Sequence, residues 1–328
     1  MKGALITQII HSRGVAIVAT VLVGAALAFF WFSDPEARRV ADPWFVLPSA
    51  GYWLPFGVID FAGAIASGAL IAGIMALLNR RFNFLRTTSA LYITFFVLMQ
   101  AATPKLATQF YTGEVLAVVV GLALMLFFDV YRSAGAARHV FLVFFLLSGL
   151  ATTQYSFIFY LPAMLACMVQ MGIMNGRTLT ASLLGTITPW WICIGFGIID
   201  PLGIRFPMLE TIFSNPDFRG MVLTVIAAGF TAVLLVLVLI LNLFKAIAYN
   251  GRTRAMNGSI CIVAIVTVVA MLVDYNNFTA YVPTLNATAA LQSAHFFAQR
   301  RNDRSGYVIL SILAVYIILF ICQTATSE

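Results

Sequence analysis

The sequence predicts an all-α fold, a polytopic bundle of about 11 transmembrane helices with its N-terminus inside and its C-terminus outside. Three observations carry this prediction. Hydrophobic residues make up 62% of the 328-residue chain and charged residues 9%, whereas soluble proteins carry about 25% charged residues. The apolar residues fall into runs long enough to cross a bilayer core, which takes about 20 residues of helix. The charges between the runs alternate in sign bias, the pattern that sets membrane orientation. A soluble fold of this size cannot bury so much apolar surface, so lipid is the expected solvent and residues 1–328 form one integral membrane domain.

The first run, Gly14–Phe32, follows Lys2 and Arg13 and contains a small-residue stretch, Ala25–Ala28. A signal-peptide core is typically about 7–15 residues; this run is longer and reads as a retained signal anchor. The expected spans are residues 14–33, 54–78, 87–103, 114–131, 139–154, 156–174, 180–199, 220–244, 258–273, 281–298 and 306–323. The fifth and sixth are tightly joined around Tyr155. The tenth carries Asn286, Thr288, Gln292 and His295, a poor composition for facing lipid, so it is expected either to be re-entrant or to be enclosed by its neighbours.

Charge tests this division independently of hydropathy. With the N-terminus inside, 14 of the 19 basic residues fall on inner segments, against two acids there, Asp129 and Asp303. Every inner segment is net positive, as orientation by basic residues requires. Omitting the tenth span places the cluster Gln299–Arg304 outside, so charge also argues for counting it. The longest outer loops are then residues 33–53 and 200–219.

The same composition excludes several functions. The basic residues are scattered and form no stripe interleaved with aromatics, so nucleic acid is not an expected partner. No phosphate-cradling glycine loop follows a strand. Cys167, Cys193, Cys261 and Cys322 are isolated, with no spacing for zinc or a disulfide framework. His11, His139 and His295 stand far apart, so no metal and no haem is expected, and no cofactor is implied.

What remains is an accumulation of polar residues at the outer side. The first loop supplies Asp34, Glu36, Arg38, Arg39 and Asp42, and Asp60 sits about two turns into the second run. The turn Thr103–Glu114 adds Lys105, Gln109, Tyr111 and Glu114; further along come Gln154, Tyr155, Asp200, Arg205 and the Asp274–Asn277 stretch. A carboxylate held in hydrocarbon is costly and marks a functional site by default. Asp34, Glu36, Asp42 and Asp60 are candidate general bases for an acceptor hydroxyl. Lys105 and Arg205 are candidates to hold the phosphate of a lipid-linked substrate. Gln109, Tyr111, Glu114, Tyr155 and Asp274 complete the expected substrate-binding set. The competing expectations are solvated loop charge for the loop acids, a structural hydrogen-bonded carboxylate for Asp60, and snorkelling to head groups for the two cations.

Three stretches, Ala76–Leu106, Phe110–Leu165 and Ser182–Ile192, resemble an uncharacterised family of polytopic inner-membrane proteins of the Bacteroidota; the likeness runs from Ala69 to Asp200. It implies an inner (plasma) membrane location and no established activity. More remotely, the plan is similar to the C-type superfamily of membrane glycosyltransferases, which use polyprenyl-phosphate sugars. That resemblance implies a base at Asp34, Glu36 or Asp42 just after the first span. It also implies a basic residue and a helix-heading acid between the third and fourth spans, matched by Lys105 and Glu114. The short first loop and its Asp34–Pro35–Glu36 sequence depart from the family pattern.

Three functions are therefore expected in competition. One is a glycosyltransferase of cell-envelope biogenesis acting on a polyprenyl-phosphate lipid at the outer face. Another is a transporter or flippase for a lipid or amphiphile. The third is a non-catalytic membrane subunit with a membrane-protein partner. All three live among membrane lipids.

Overall fold

The computed structural model describes residues 12–33, 40–83, 85, 89–200, 220–243, 250–298 and 303–325. They are mostly helical, with no strand among them. The helices are α1 (Arg13–Ser33), α2 (Val58–Phe82), α3 (Leu91–Ala101), α4 (Pro104–Ala107), α5 (Thr112–Asp129) and α6 (Ala137–Ala151). They continue as α7 (Tyr160–Gln170), α8 (Gly176–Gly195), α9 (Val222–Leu243), α10 (Gly251–Val273), α11 (Val282–Ala298) and α12 (Asp303–Ala325). Short 3-10 turns cover Ala50–Tyr52, Tyr155–Phe159 and Tyr275–Tyr281.

Six of the described helices, α1, α2, α5, α9, α10 and α12, are long and apolar enough to cross a membrane. The chain is a multi-pass membrane protein. Each of the 11 apolar runs contains a helix, but several are short for a bilayer: α3 and α7 have 11 residues each and α6 has 15. The end of the bundle holding Asp42, Asp60 and Asp274 is called the outer end below, after the charge pattern.

The helix boundaries follow local chemistry. Asp60 lies in the first turn of α2 rather than two turns in, because Pro55 and Gly57 delay the start. Gly57 adopts φ 113°, a conformation that side chains resist. Asn175 caps α8 through a reciprocal box with Thr178, and Asn250 caps α10 by accepting from the Thr253 amide. The α6–α8 pair is close-packed at Gly185, where an added Cβ would stand 2.6 Å from the Phe141 carbonyl oxygen.

The tenth run, α11, is the centre of the bundle. It packs against α3, α5, α9 and α10. Every residue but Ala287 is buried along its length. Its two amide side chains find partners inside: Asn286 donates to Gln100 Oε1 at 2.8 Å, and Gln292 accepts from Asn242 and donates to Asn257. Of the two expectations for this segment, enclosure is the one observed. A helix with this many amides is unstable in lipid and stable where neighbours satisfy them.

Candidate functional site

The outer end is closed by the first loop, which lies on the end of α6. The amides of Phe45, Val46 and Leu47 donate to the carbonyls of Thr152 and Thr153 at 2.8–3.0 Å. Asp42 is the anchor. Its Oδ2 accepts from the Gly51 amide at 2.8 Å, the Thr112 hydroxyl at 3.0 Å and the Thr112 amide at 3.2 Å. Its Oδ1 accepts from Gln154 Nε2 at 3.3 Å. Four donors occupy the lone pairs of this buried carboxylate and fix it as an acceptor within the protein. Gly51 is required by the same contact, since a Cβ there would lie 2.8 Å from Asp42 Oδ2.

From Asp42 the polar contacts pass to a second acid. Gln154 also donates to Asn277 Oδ1, and Asn277 donates to Asp274 Oδ2. Tyr155 and Tyr281 each donate a hydroxyl to Asp274 at 2.8 Å. Burial raises the Asp274 carboxyl above the usual aspartate range, and these hydrogen bonds only partly offset the rise.

Asp42 and Asp60 share one hollow of about 30 Å³ beneath the first loop, lined also by Gln109 and Tyr111. That is room for a water or two. Asp60 Oδ1 accepts from the Phe110 amide at 3.2 Å, and Gln109 Oε1 accepts from the Val40 amide at 2.8 Å. Lys105 is not part of this hollow. Its Nζ donates to the Gly220 carbonyl at 3.0 Å and lines a separate hollow of about 260 Å³ with Thr224 and Gln323. Asp34, Glu36 and Arg205 lie outside the described residues.

Glu114 sits deeper, in the first turn of α5, and is 1% exposed. Gln100 Nε2 of α3 donates to its Oε1 at 3.0 Å, and Ser67 Oγ of α2 faces its Oε2 at 3.3 Å. Because Asn286 of α11 holds the other end of Gln100, one chain of contacts ties four helices to this carboxylate. Tyr111 lies between Glu114 and Asp42. Its phenol is raised well above its usual range by burial first and then by those two carboxylates, and its buried hydroxyl has no hydrogen-bond partner among the described residues. Among the described residues no basic side chain lies within ion-pair distance of Asp42, Glu114 or Asp274. These acids are held by neutral donors alone.

Sequence reasoning gathered Asp42, Asp60, Gln109, Tyr111, Glu114, Tyr155 and Asp274 into one region, and the structure brings them to one end of the bundle as two linked clusters and a hollow. It missed Ser67, Gln100, Thr112 and Tyr281. Single hydroxyls or amides in apolar runs carry no periodic signal; a lone glutamine within a span, such as Gln100, was the one available hint. No group of three or more histidine, cysteine or acidic side chains comes together among the described residues. Comparison with protein-family models, curated proteins and solved structures gives no match to this chain.

Proposed function

We propose that this membrane protein is a carrier for a lipid or small amphiphile whose cycle is linked to proton gain and loss at Glu114. The observation that carries the reading is the Ser67–Glu114–Gln100–Asn286 chain. An ionised carboxylate only accepts hydrogen bonds; a protonated one must also donate. Ser67 Oγ also donates to the Ala64 carbonyl at 2.9 Å, so it can accept from a proton on Oε2 with no change elsewhere. A proton on Oε1 instead requires the Gln100 amide to reverse, which breaks its bond to Asn286. Protonation at Oε1 is therefore the event that changes contacts among α3, α5 and the central α11, the way a titration biases a packed element between two arrangements.

The test is translocation of a fluorescent phospholipid analogue in proteoliposomes, read by dithionite quenching with and without an imposed pH gradient. Gradient-dependent exchange in the wild type that Glu114→Gln abolishes supports the reading. Exchange that ignores the gradient, or that persists in E114Q, overturns it.

A second reading, transfer of a sugar from a polyprenyl-phosphate lipid at the outer face, draws on the two carboxylates, Asp42 and Asp60, that meet at one hollow with Gln109 and Tyr111; that hollow must open to admit a sugar. Asp60 is the candidate base to test. Product formation from a polyprenyl-phosphate sugar, lost in Asp60→Asn with the protein still folded, supports this alternative; turnover that D60N leaves intact removes it.

A further inference from the structure

A separate and much larger cleft lies at the opposite end. Helices α1 and α2 meet near the outer end, where Trp31 stacks on Phe61 with ring centroids 5.2 Å apart. Both also pack on α3. Towards the inner end a cleft of about 910 Å³ opens between them, with the start of α3 as its floor. The walls are apolar, with Ala16, Ile17 and Val21 from α1 and Ile93 from α3. The mouth carries two guanidinium groups, Arg13 at the first residue of α1 and Arg80 in the last turn of α2. Among the described residues neither arginine has a carboxylate within 4 Å; the neighbouring Arg81 is the one that pairs, with Asp129 at 2.9 Å. Hydrogen-bonding side chains stand beside them, notably Asn79, Asn83 and the Tyr92 hydroxyl.

We infer that this cleft is a binding site for an anionic phospholipid of the inner leaflet. Arg13 and Arg80 would hold its phosphate and the apolar walls its upper acyl chains. A wedge open at its charged end and greasy towards its depth matches an amphiphile and not a free anion, for which the apolar wall serves no purpose. Basic pockets between helices on the inner side recognise such head groups. The size lies within the range of about 300–1,000 Å³ typical of ligand sites. The assignment does not depend on the carrier reading, since a lipid can be bound here without being moved.

The test is native mass spectrometry of the full chain released from nanodiscs of phosphatidylglycerol and phosphatidylcholine. The wild type is expected to retain phosphatidylglycerol selectively. Arg13→Gln with Arg80→Gln should lower retention by about thirtyfold, the scale of two lost charge contacts near a membrane surface. Arg138→Gln with Arg177→Gln, which removes two basic residues of inner segments outside the cleft, should leave it unchanged. Ala76→Trp fills the cleft without changing charge and should also reduce retention, which keeps the test decisive if the double arginine variant folds poorly. Equal loss from both arginine pairs, or equal retention of the two lipids, overturns the proposal by indicating general attraction to an anionic surface. Displacement of the lipid by millimolar inorganic phosphate overturns it in favour of a free-anion site.

Discussion

Gln100 Nε2 donates to Glu114 Oε1 at 3.0 Å across the α3–α5 contact, 14 residues apart in sequence and fully inside the bundle. Among the described residues no cation lies within ion-pair distance of the pair, so its energy comes from satisfying a buried acceptor rather than from charge attraction. A hydrogen bond to a charged group contributes about 1.5–3 kcal/mol, and stranding the acceptor costs its desolvation as well.

Gln100→Leu is accordingly expected to destabilise the protein by about 2–3 kcal/mol, seen as a lower thermal midpoint in detergent. Asn286→Leu alone should cost less, and the double variant should fall short of the sum, because both residues serve one network. Strict additivity in the cycle contradicts a shared network.

Asp42→Ala leaves the Gly51 and Thr112 amides without their acceptor. The expected result is a loosened first loop, cut by protease near residues 45–53 faster than in the wild type, with α5 still intact. Gly51→Ala should produce a milder version, costing about 1–3 kcal/mol from overpacking against the Asp42 carboxylate. Cleavage rates equal to wild type in both variants contradict the anchoring role.

Asp274 should leave a pH signature. Its carboxyl is raised in the folded state, chiefly by burial. The folded protein therefore binds the proton more tightly than the unfolded chain does. The stability this contributes is complete below the unfolded aspartate range, about pH 4, and is lost as pH rises through the folded value. Relative to the wild type, Asp274→Asn should lose less thermal stability on going from pH 4 to neutral pH. A pH profile identical in slope to wild type rules out this titration.

Gly185→Leu places a side chain where even a Cβ would meet the Phe141 carbonyl at 2.6 Å. The α6–α8 contact must then part, at a cost of about 1–3 kcal/mol or more. Cysteine cross-linking across this helix pair should fall sharply, while cross-linking between α3 and α11 is preserved.

Much of the architecture was legible because lipid imposes one rule on every segment: satisfy the backbone within a helix. The apolar runs therefore locate the helices, and the amides of α11 narrowed that segment to re-entry or enclosure. The boundaries were less legible where turn chemistry intervened, as at Pro55 and Gly57 before α2. The site was legible in composition and not in connectivity. Asp42 could be read as a base or as solvated loop charge, and its four donors show a buried anchor instead. Lys105 shares a sequence turn with Gln109 and Tyr111, yet it faces Gly220, because the short α4 helix turns it away from their hollow. Ser67 reaches Glu114 over 47 residues of chain, a separation no local pattern encodes.

The enclosure of α11 has a consequence for how the protein is made. A segment bearing Asn286, Gln292 and His295 partitions poorly into bilayer by itself. During synthesis it is expected to wait beside the insertion machinery until α9 and α10 can shelter it. A truncated chain carrying α11 without α9 and α10 should then lose this helix to alkaline extraction, whereas a chain carrying all three should retain it.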